Sequence, residues 1–245
     1  LSAALFFGQT AAAEEKAAEE VKPSHVEMVL VLDESGSMSN LTNDTIGGFN
    51  SMIEKEKKLD VDAHVTTVLF NDQYKMLYNR RELKDVSKMT DKDYTPGGMT
   101  ALLDAVGRTI HKMDMVAGIH RKDKGNKVLF VIITDGEEND SKEYTYADVK
   151  KLIKDRQENA GWEFIFLGAN IDAAAAAENL GIDRDRAVKY KNTGSGVRAN
   201  FKAVAELSDS LAKSGRVSDE WKETVEKDED DAADKQSAAV TLHRR

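Results

Sequence analysis

The sequence predicts an α/β fold of three layers, a mostly parallel sheet with helices on both faces. Two short stretches, VEMVLVL from Val26 and KVLFVIITDG over Lys127–Gly136, are apolar without alternation, the pattern of strands covered on both sides. Each runs into an acid, Asp33 and Asp135. Around them, strand-like runs alternate with segments whose apolar residues recur at helical spacing, which is the signature of strands joined by crossover helices.

The elements follow in order. After the first strand, Asn43 to Lys58 places Ile46, Phe49, Met52 and Ile53 on one side of a helix. VDAHVTTVLF (Val61–Phe70) and YKMLYNR (Tyr74–Arg80) read as two strands. Only NDQ separates them, so they predict an antiparallel hairpin within the otherwise parallel sheet. A polar loop ends in TPGGMT, and Thr100 to Met115 is helical, burying Leu102, Ala105, Val106, Ile110 and Met113. The second apolar strand follows, then a helix over Tyr146–Asn159, a strand over Trp162–Asn170 and a helix over Asp172–Leu180. RAVKYK suits a last short strand, and Val197 to Lys213 closes with Phe201, Val204, Leu207 and Leu211 in step.

The ends differ in character. Residues 1–23 form an Ala/Glu-rich extension or signal remnant, with Ala11 to Glu20 a solvated helix or unstructured. From residue 214 the charged stretch EKDEDDAADK predicts a disordered tail to residue 245, since it has almost nothing apolar to bury. No stretch reaches the ~20 apolar residues of a membrane span. The net charge of −9 argues against nucleic-acid binding, which needs a basic face. Cysteine is absent, which removes disulfides and thiolate metal sites. A cytoplasmic protein is the expectation, with export the alternative if residues 1–13 are a trimmed signal peptide: LSAALFFGQTAAA has the apolar run and small residues, but no basic residue before them.

The chemistry gathers where strands end. In such a sheet the C-terminal ends of the parallel strands share one rim, where ligands bind. Asp33, Ser35 and Ser37 follow the first strand, Asp135 follows the other central one, and Thr100 opens a helix whose preceding loop can reach the same edge. All five offer oxygen, which suits a hard cation, Mg²⁺ with Mn²⁺ or Ca²⁺ as alternatives, over zinc. Hydroxyls give less charge than carboxylates, so the ion would keep water or accept an anionic oxygen from outside.

DESGS, the Thr of GGMT and the Asp of ITDG, in that order, resemble the metal-ion-dependent adhesion site of von Willebrand factor A (vWA) domains: Asp-x-Ser-x-Ser, a distant Thr, a distant Asp. The resemblance covers Ser24 to Lys213. DTIGGFNSMIEKEK, TALLDAV and GWEFIFLGANIDA are similar to a bacterial and phage subgroup of stand-alone members. It implies a Rossmann-like sheet with one antiparallel edge strand, a divalent cation held by Asp33, Ser35, Ser37, Thr100 and Asp135, and a protein partner bound through an Asp or Glu carboxylate, without catalysis.

Each residue alone has a plainer reading. Ser35-Gly36-Ser37 could be a turn and helix cap, Asp135-Gly136 a turn, and Thr100 the N-cap of its helix. Asn170 and Asp172 suit a helix cap, and Asp104 an exposed carboxylate; for all three the alternative is to support the metal ligands from behind. His25, His64, His111, His120 and His243 show no ligand spacing and read as scattered polar residues. The cluster HRKDKGNK (His120–Lys127) suits a solvated loop. The rival functions are a metal-dependent phosphoryl-transfer or hydrolase enzyme, or a structural domain with the site unused. An aspartyl phosphatase would carry a second acid two residues after Asp33, where Ser35 stands; no Gly-x-Ser-x-Gly or phosphate loop occurs.

Overall fold

A computed structural model describes residues 25–116 and 126–227. In chain order the elements are β1 (Val26–Asp33), a 3-10 turn over Gly36–Leu41, α1 (Thr42–Lys58), β2 (Ala63–Phe70), β3 (Tyr74–Glu82), α2 (Leu102–Asp114), β4 (Lys127–Thr134), α3 (Tyr146–Asp155), β5 (Glu163–Gly168), α4 (Ala173–Leu180), β6 (Ala187–Lys189) and α5 (Gly194–Ser214). The strands lie in the order β3-β2-β1-β4-β5-β6. All neighbours pair in parallel except β2 and β3, the expected hairpin on the sheet edge.

β1 is buried along its whole length because both its faces are covered. Met28, Leu30 and Leu32 pack with Phe49, Met52 and Ile53 of α1 and Phe201, Val204 and Leu207 of α5. Val29 and Val31 belong to the opposite cluster, with residues of α2, α3 and α4. The alternation of a strand thus feeds two cores at once, which is why no polar face shows in its sequence.

Helix starts follow local chemistry. Thr145 and Asp148 form a reciprocal capping box at α3, Asp172 accepts from Ala175 N–H at α4, and Thr193 accepts from Gly196 N–H at α5. The expected helix to Asn159 instead leaves α-geometry at Arg156, continues as a π-turn to Ala160 and ends at Gly161 in the left-handed region (φ 68°).

The boundary expected after Lys213 needs correction. The chain turns and forms a further helix over residues 220–227. Trp221 and Val225 are 0% and 1% exposed and join the α1–α5 side of the core. The charge of the segment masked the signal: two apolar residues at i, i+4 suffice to give a short helix one buried face. The Ala/Glu-rich extension, most of the basic cluster with His120, and the tail beyond residue 227 with His243 lie outside the described residues. Among the described residues, no helix is long and apolar enough to cross a membrane.

Candidate metal centre

Strand order reverses beside β1: the chain leaves β1 toward β2 on one side and later places β4 on the other. Leu32 pairs with Ile133, so the last residues of both strands end side by side at one rim. Such a switch point leaves a crevice between diverging loops. Asp33 and Asp135 both lie there, 1% and 2% exposed.

A hydrogen-bonded chain links four of the five candidate ligands, Asp33, Ser35, Ser37 and Asp135. Ser35 N–H donates to Asp33 Oδ1 at 2.7 Å, the Ser35 and Ser37 hydroxyls lie 3.0 Å apart, and Ser37 O–H donates to Asp135 Oδ1 at 2.5 Å. The turn around Gly36 therefore aims residues 35 and 37 the same way. Thr134 O–H donates to Asp33 Oδ2 at 2.6 Å, and Tyr94 O–H to the Asp33 carbonyl at 2.6 Å. Asn192 Nδ2 donates to Asp135 Oδ2 at 3.3 Å.

Thr100 is buried on the loop before α2, and that loop is stitched to both neighbours. Gly97 N–H donates to the Glu34 carbonyl and Gly36 N–H to the Gly98 carbonyl. Asn139 and Asp140 N–H donate to the Thr100 carbonyl, and Thr100 N–H to Asn139 Oδ1. Gly98 has no substitute in this passage: its φ is +74°, and a Cβ would lie 2.0 Å from Asp72 Oδ1.

Residues 35–37 do open a turn, the 3-10 segment over Gly36–Leu41, but the cap readings of the hydroxyls do not describe this geometry. The N-cap of α2 is Ala101, with no side-chain cap bond, so Thr100 does not cap its helix. Ser35 stands at the N-cap of the 3-10 turn, yet its side chain makes no cap bond either.

Burial pushes the Asp33 carboxyl above its ordinary value; the bonds from Ser35 and Thr134 oppose this, and Asp135 adds repulsion. Among the described residues, neither carboxylate has a Lys, Arg or His within ion-pair distance. Two buried acids beside hydroxyls, with no cation of the protein's own among the described residues, offer oxygen atoms of the kind that a hard ion takes.

Comparison with known proteins assigns the family. The vWA-TerF-like family, described as the vWA found in the TerF C terminus, matches residues 25–186. The chain belongs to this family. No curated protein matches the chain. Solved structures share the vWA fold at low identity. The pilus adhesin SpaC from Lactobacillus rhamnosus GG, in its open conformation, aligns at TM-score 0.61 and 14% identity, over 79% of this chain and 31% of that one. A D319A mutant of the PilB minor pilin from Streptococcus sanguinis gives 0.56 and 12%, over 79% and 64%. The vWF domain of the type V pili tip protein Mfa5 from Porphyromonas gingivalis gives 0.54 and 12%, over 80% and 99%. The chain thus spans less than two thirds of the minor pilin and about a third of the adhesin.

Other expectations resolve within the vWA frame. Asp172 caps α4, as expected, whereas Asn170 adopts a left-handed φ of 56° and donates to the Asp135 carbonyl at 3.2 Å. Asp104 is not an exposed carboxylate. It is 7% exposed and accepts from the N–H groups of Lys142, Glu143 and Tyr144. Burial pushes it up, but those three donors together hold it below its ordinary value, and it fixes the loop after β4. Tyr94, Thr134 and Asn192 were not foreseen. Thr134 could have been, as the residue beside Asp135 at a strand end; Tyr94 and Asn192 come from loops with no local signal. His25 and His64 are not scattered: they meet beside Glu27 at the other end of β1.

Proposed function

We propose that this chain is an adhesion or assembly module: a divalent cation held at the rim accepts a carboxylate from a partner protein. The observation that carries it is the pair of buried acids, Asp33 and Asp135, set among the hydroxyls of Ser35, Ser37 and Thr134 and, among the described residues, without a basic partner. Asp33, Ser35, Ser37, Thr100 and Asp135 would hold the ion, and Mg²⁺ suits the set because it tolerates both hydroxyl ligands and water. The cation would supply an electrophilic point for an acidic side chain. The chain's residues place it, keep basic groups away and present Met99, 51% exposed, beside Thr100 as an apolar contact. A binding role without turnover is the reading in keeping with the pilin and adhesin vWA neighbours.

Pilus proteins work outside the cell, so the neighbours named above weigh against the cytoplasmic expectation. Residues 1–13, which bear on it, lie outside the described residues.

The test is calorimetry followed by capture. Mg²⁺ should bind the purified chain and fail to bind Asp33→Ala, which should remain folded because the site is at the rim. A protein captured by the chain should be released by EDTA, return with Mg²⁺, and be lost when its contacting Asp or Glu becomes Asn or Gln. Unchanged Mg²⁺ affinity in the variant, or capture indifferent to EDTA, would overturn the reading.

A further inference from the structure

We propose a second cation site, for a zinc-class transition metal, made by His25, Glu27 and His64 at the opposite end of the sheet. Asp33 lies six residue steps along β1 from Glu27, roughly 20 Å of strand, so the two sites are independent.

The sheet assembles it. Glu27 is the second residue of β1, His25 lies two positions before it and so on the same face, and His64 is the direct register partner of Glu27 on β2. Sites carried by paired strands are held more rigidly than sites on loops. His25 Nε2 lies 2.8 Å from His64 Nδ1 and 3.3 Å from Glu27 Oε1, and His64 Nδ1 lies 3.3 Å from that same oxygen. A zinc ion at about 2.0–2.1 Å from each ligand of a tetrahedron spaces those ligands about 3.3 Å apart. The triangle is already one face of such a tetrahedron, with only the His–His edge short.

The surroundings suit a metal. The other nitrogen of His25, Nδ1, lies 2.9 Å from Asp62 Oδ1. With its proton there, the Nε2 lone pair faces His64 and Glu27, the carboxylate–histidine–metal arrangement that orients zinc ligands elsewhere. Glu27 is 2% exposed and anchored by Arg80, whose Nε donates to Oε2 at 3.0 Å and Nη2 to Oε1 at 2.5 Å. Arg80 reaches it from a bulge in the β2–β3 pairing, in the left-handed region at φ 45°, a conformation that re-aims a side chain across the sheet. A metal would displace Arg80 Nη2, which touches Glu27 Oε1 and lies 3.3 Å from His64 Nδ1, while the Nε bond to Oε2 can stay. Glu27 and Asp62 outweigh Arg80 by one negative charge, which favours a divalent ion between the two imidazoles. No thiolate is available, and two nitrogens with one carboxylate oxygen favour Zn²⁺ over the hard ions that suit the rim.

The experiment uses the chain free of any polyhistidine tag and stripped of metal. Zn²⁺ should bind at one equivalent with nitrogen ligation, reported by Co²⁺ as visible ligand-field absorption, and binding should persist in Thr100→Ala. His64→Gln should lower Zn²⁺ affinity by at least about 100-fold and Asp62→Asn by about 10–100-fold. Imidazole NMR of the unsubstituted chain reads the site without risk to folding: the His25 and His64 signals should shift with Zn²⁺ and not with Mg²⁺. Zn²⁺ binding that leaves both imidazoles unmoved, that follows Thr100 instead of His64, or that is absent altogether would overturn the proposal. The same data leave the rim reading standing or falling on its own Mg²⁺ arm.

Discussion

Replacing Thr100 separates a structural hydroxyl from a ligand hydroxyl. Its side chain is 4% exposed, yet it caps no helix, because the N-cap of α2 is Ala101. In EDTA, Thr100→Ala should therefore lose little more than the transfer energy of one methyl group, about 1 kcal/mol. With Mg²⁺ the balance changes. An ion that binds only the folded chain, at a hundred times its Kd, stabilises by about 2.7 kcal/mol. At about 2–4 °C per kcal/mol for a chain of this size, Mg²⁺ should raise the Tm of the unsubstituted protein by roughly 5–10 °C. Thr100→Ala should lose that rise, and Thr100→Ser, which keeps the hydroxyl, should recover most of it. Scanning calorimetry with EDTA and with saturating Mg²⁺ reads all three chains. If Thr100→Ala kept the full Mg²⁺ increment, the hydroxyl would not be a ligand. If the variant lost several kcal/mol in EDTA, the residue would be structural after all.

Two further outcomes bear on the frame. Trp221→Ala should cost about 3–5 kcal/mol, since the ring is wholly buried against α1 and α5; urea unfolding that shows less than about 1 kcal/mol would mean that the last helix is not part of the core. Burial, against the O–H bond from Ser208 and helped by Asp209, pushes Glu56 up to about 7 from 4.5. Between those values the folded chain holds a proton that the unfolded chain has released, so stability should fall by about 3 kcal/mol as pH rises across that window. Glu56→Gln should flatten the slope and be the more stable chain at pH 8, as measured by urea unfolding at pH 4.5, 6 and 8.

The strands were legible because burial on both faces leaves an unbroken apolar run, and β1 and β4 could hardly be anything else. The rim was legible for a related reason: an apolar run that ends in an acid marks where a strand leaves the core, and parallel strands leave on the same side. Two kinds of feature were not legible. Contacts made by loops, such as Tyr94 on the Asp33 carbonyl and Asn192 on Asp135, depend on how a polar segment folds back, and no periodicity encodes that. Cross-strand meetings depend on register. His25 and His64 are 39 positions apart, and only the pairing of Glu27 with His64 makes them neighbours. The final helix was missed because its charge was weighed over the whole tail while its burial rests on Trp221 and Val225 alone.

The choice of hydroxyls over further carboxylates at the rim follows from what each group can do at once. Asp33 and Asp135 are already buried together, and Asp33 is raised by that burial and by its neighbour's charge. A third acid at position 37 would add a like charge to a desolvated pair, a larger penalty than either carries now. A hydroxyl adds none. Its proton can stay on a carboxylate, as Ser37 O–H does on Asp135 Oδ1; one lone pair accepts from Ser35 O–H, and the other remains to meet a cation. The carboxylates can thus act through the serines, lending their charge to an ion that the hydroxyls touch. Coordination built this way would leave a cation less screened at its outer side than a ring of acids would. That outer side is where the carboxylate of a partner would bind, on a chain whose net charge of −9 offers an acidic group little else to approach.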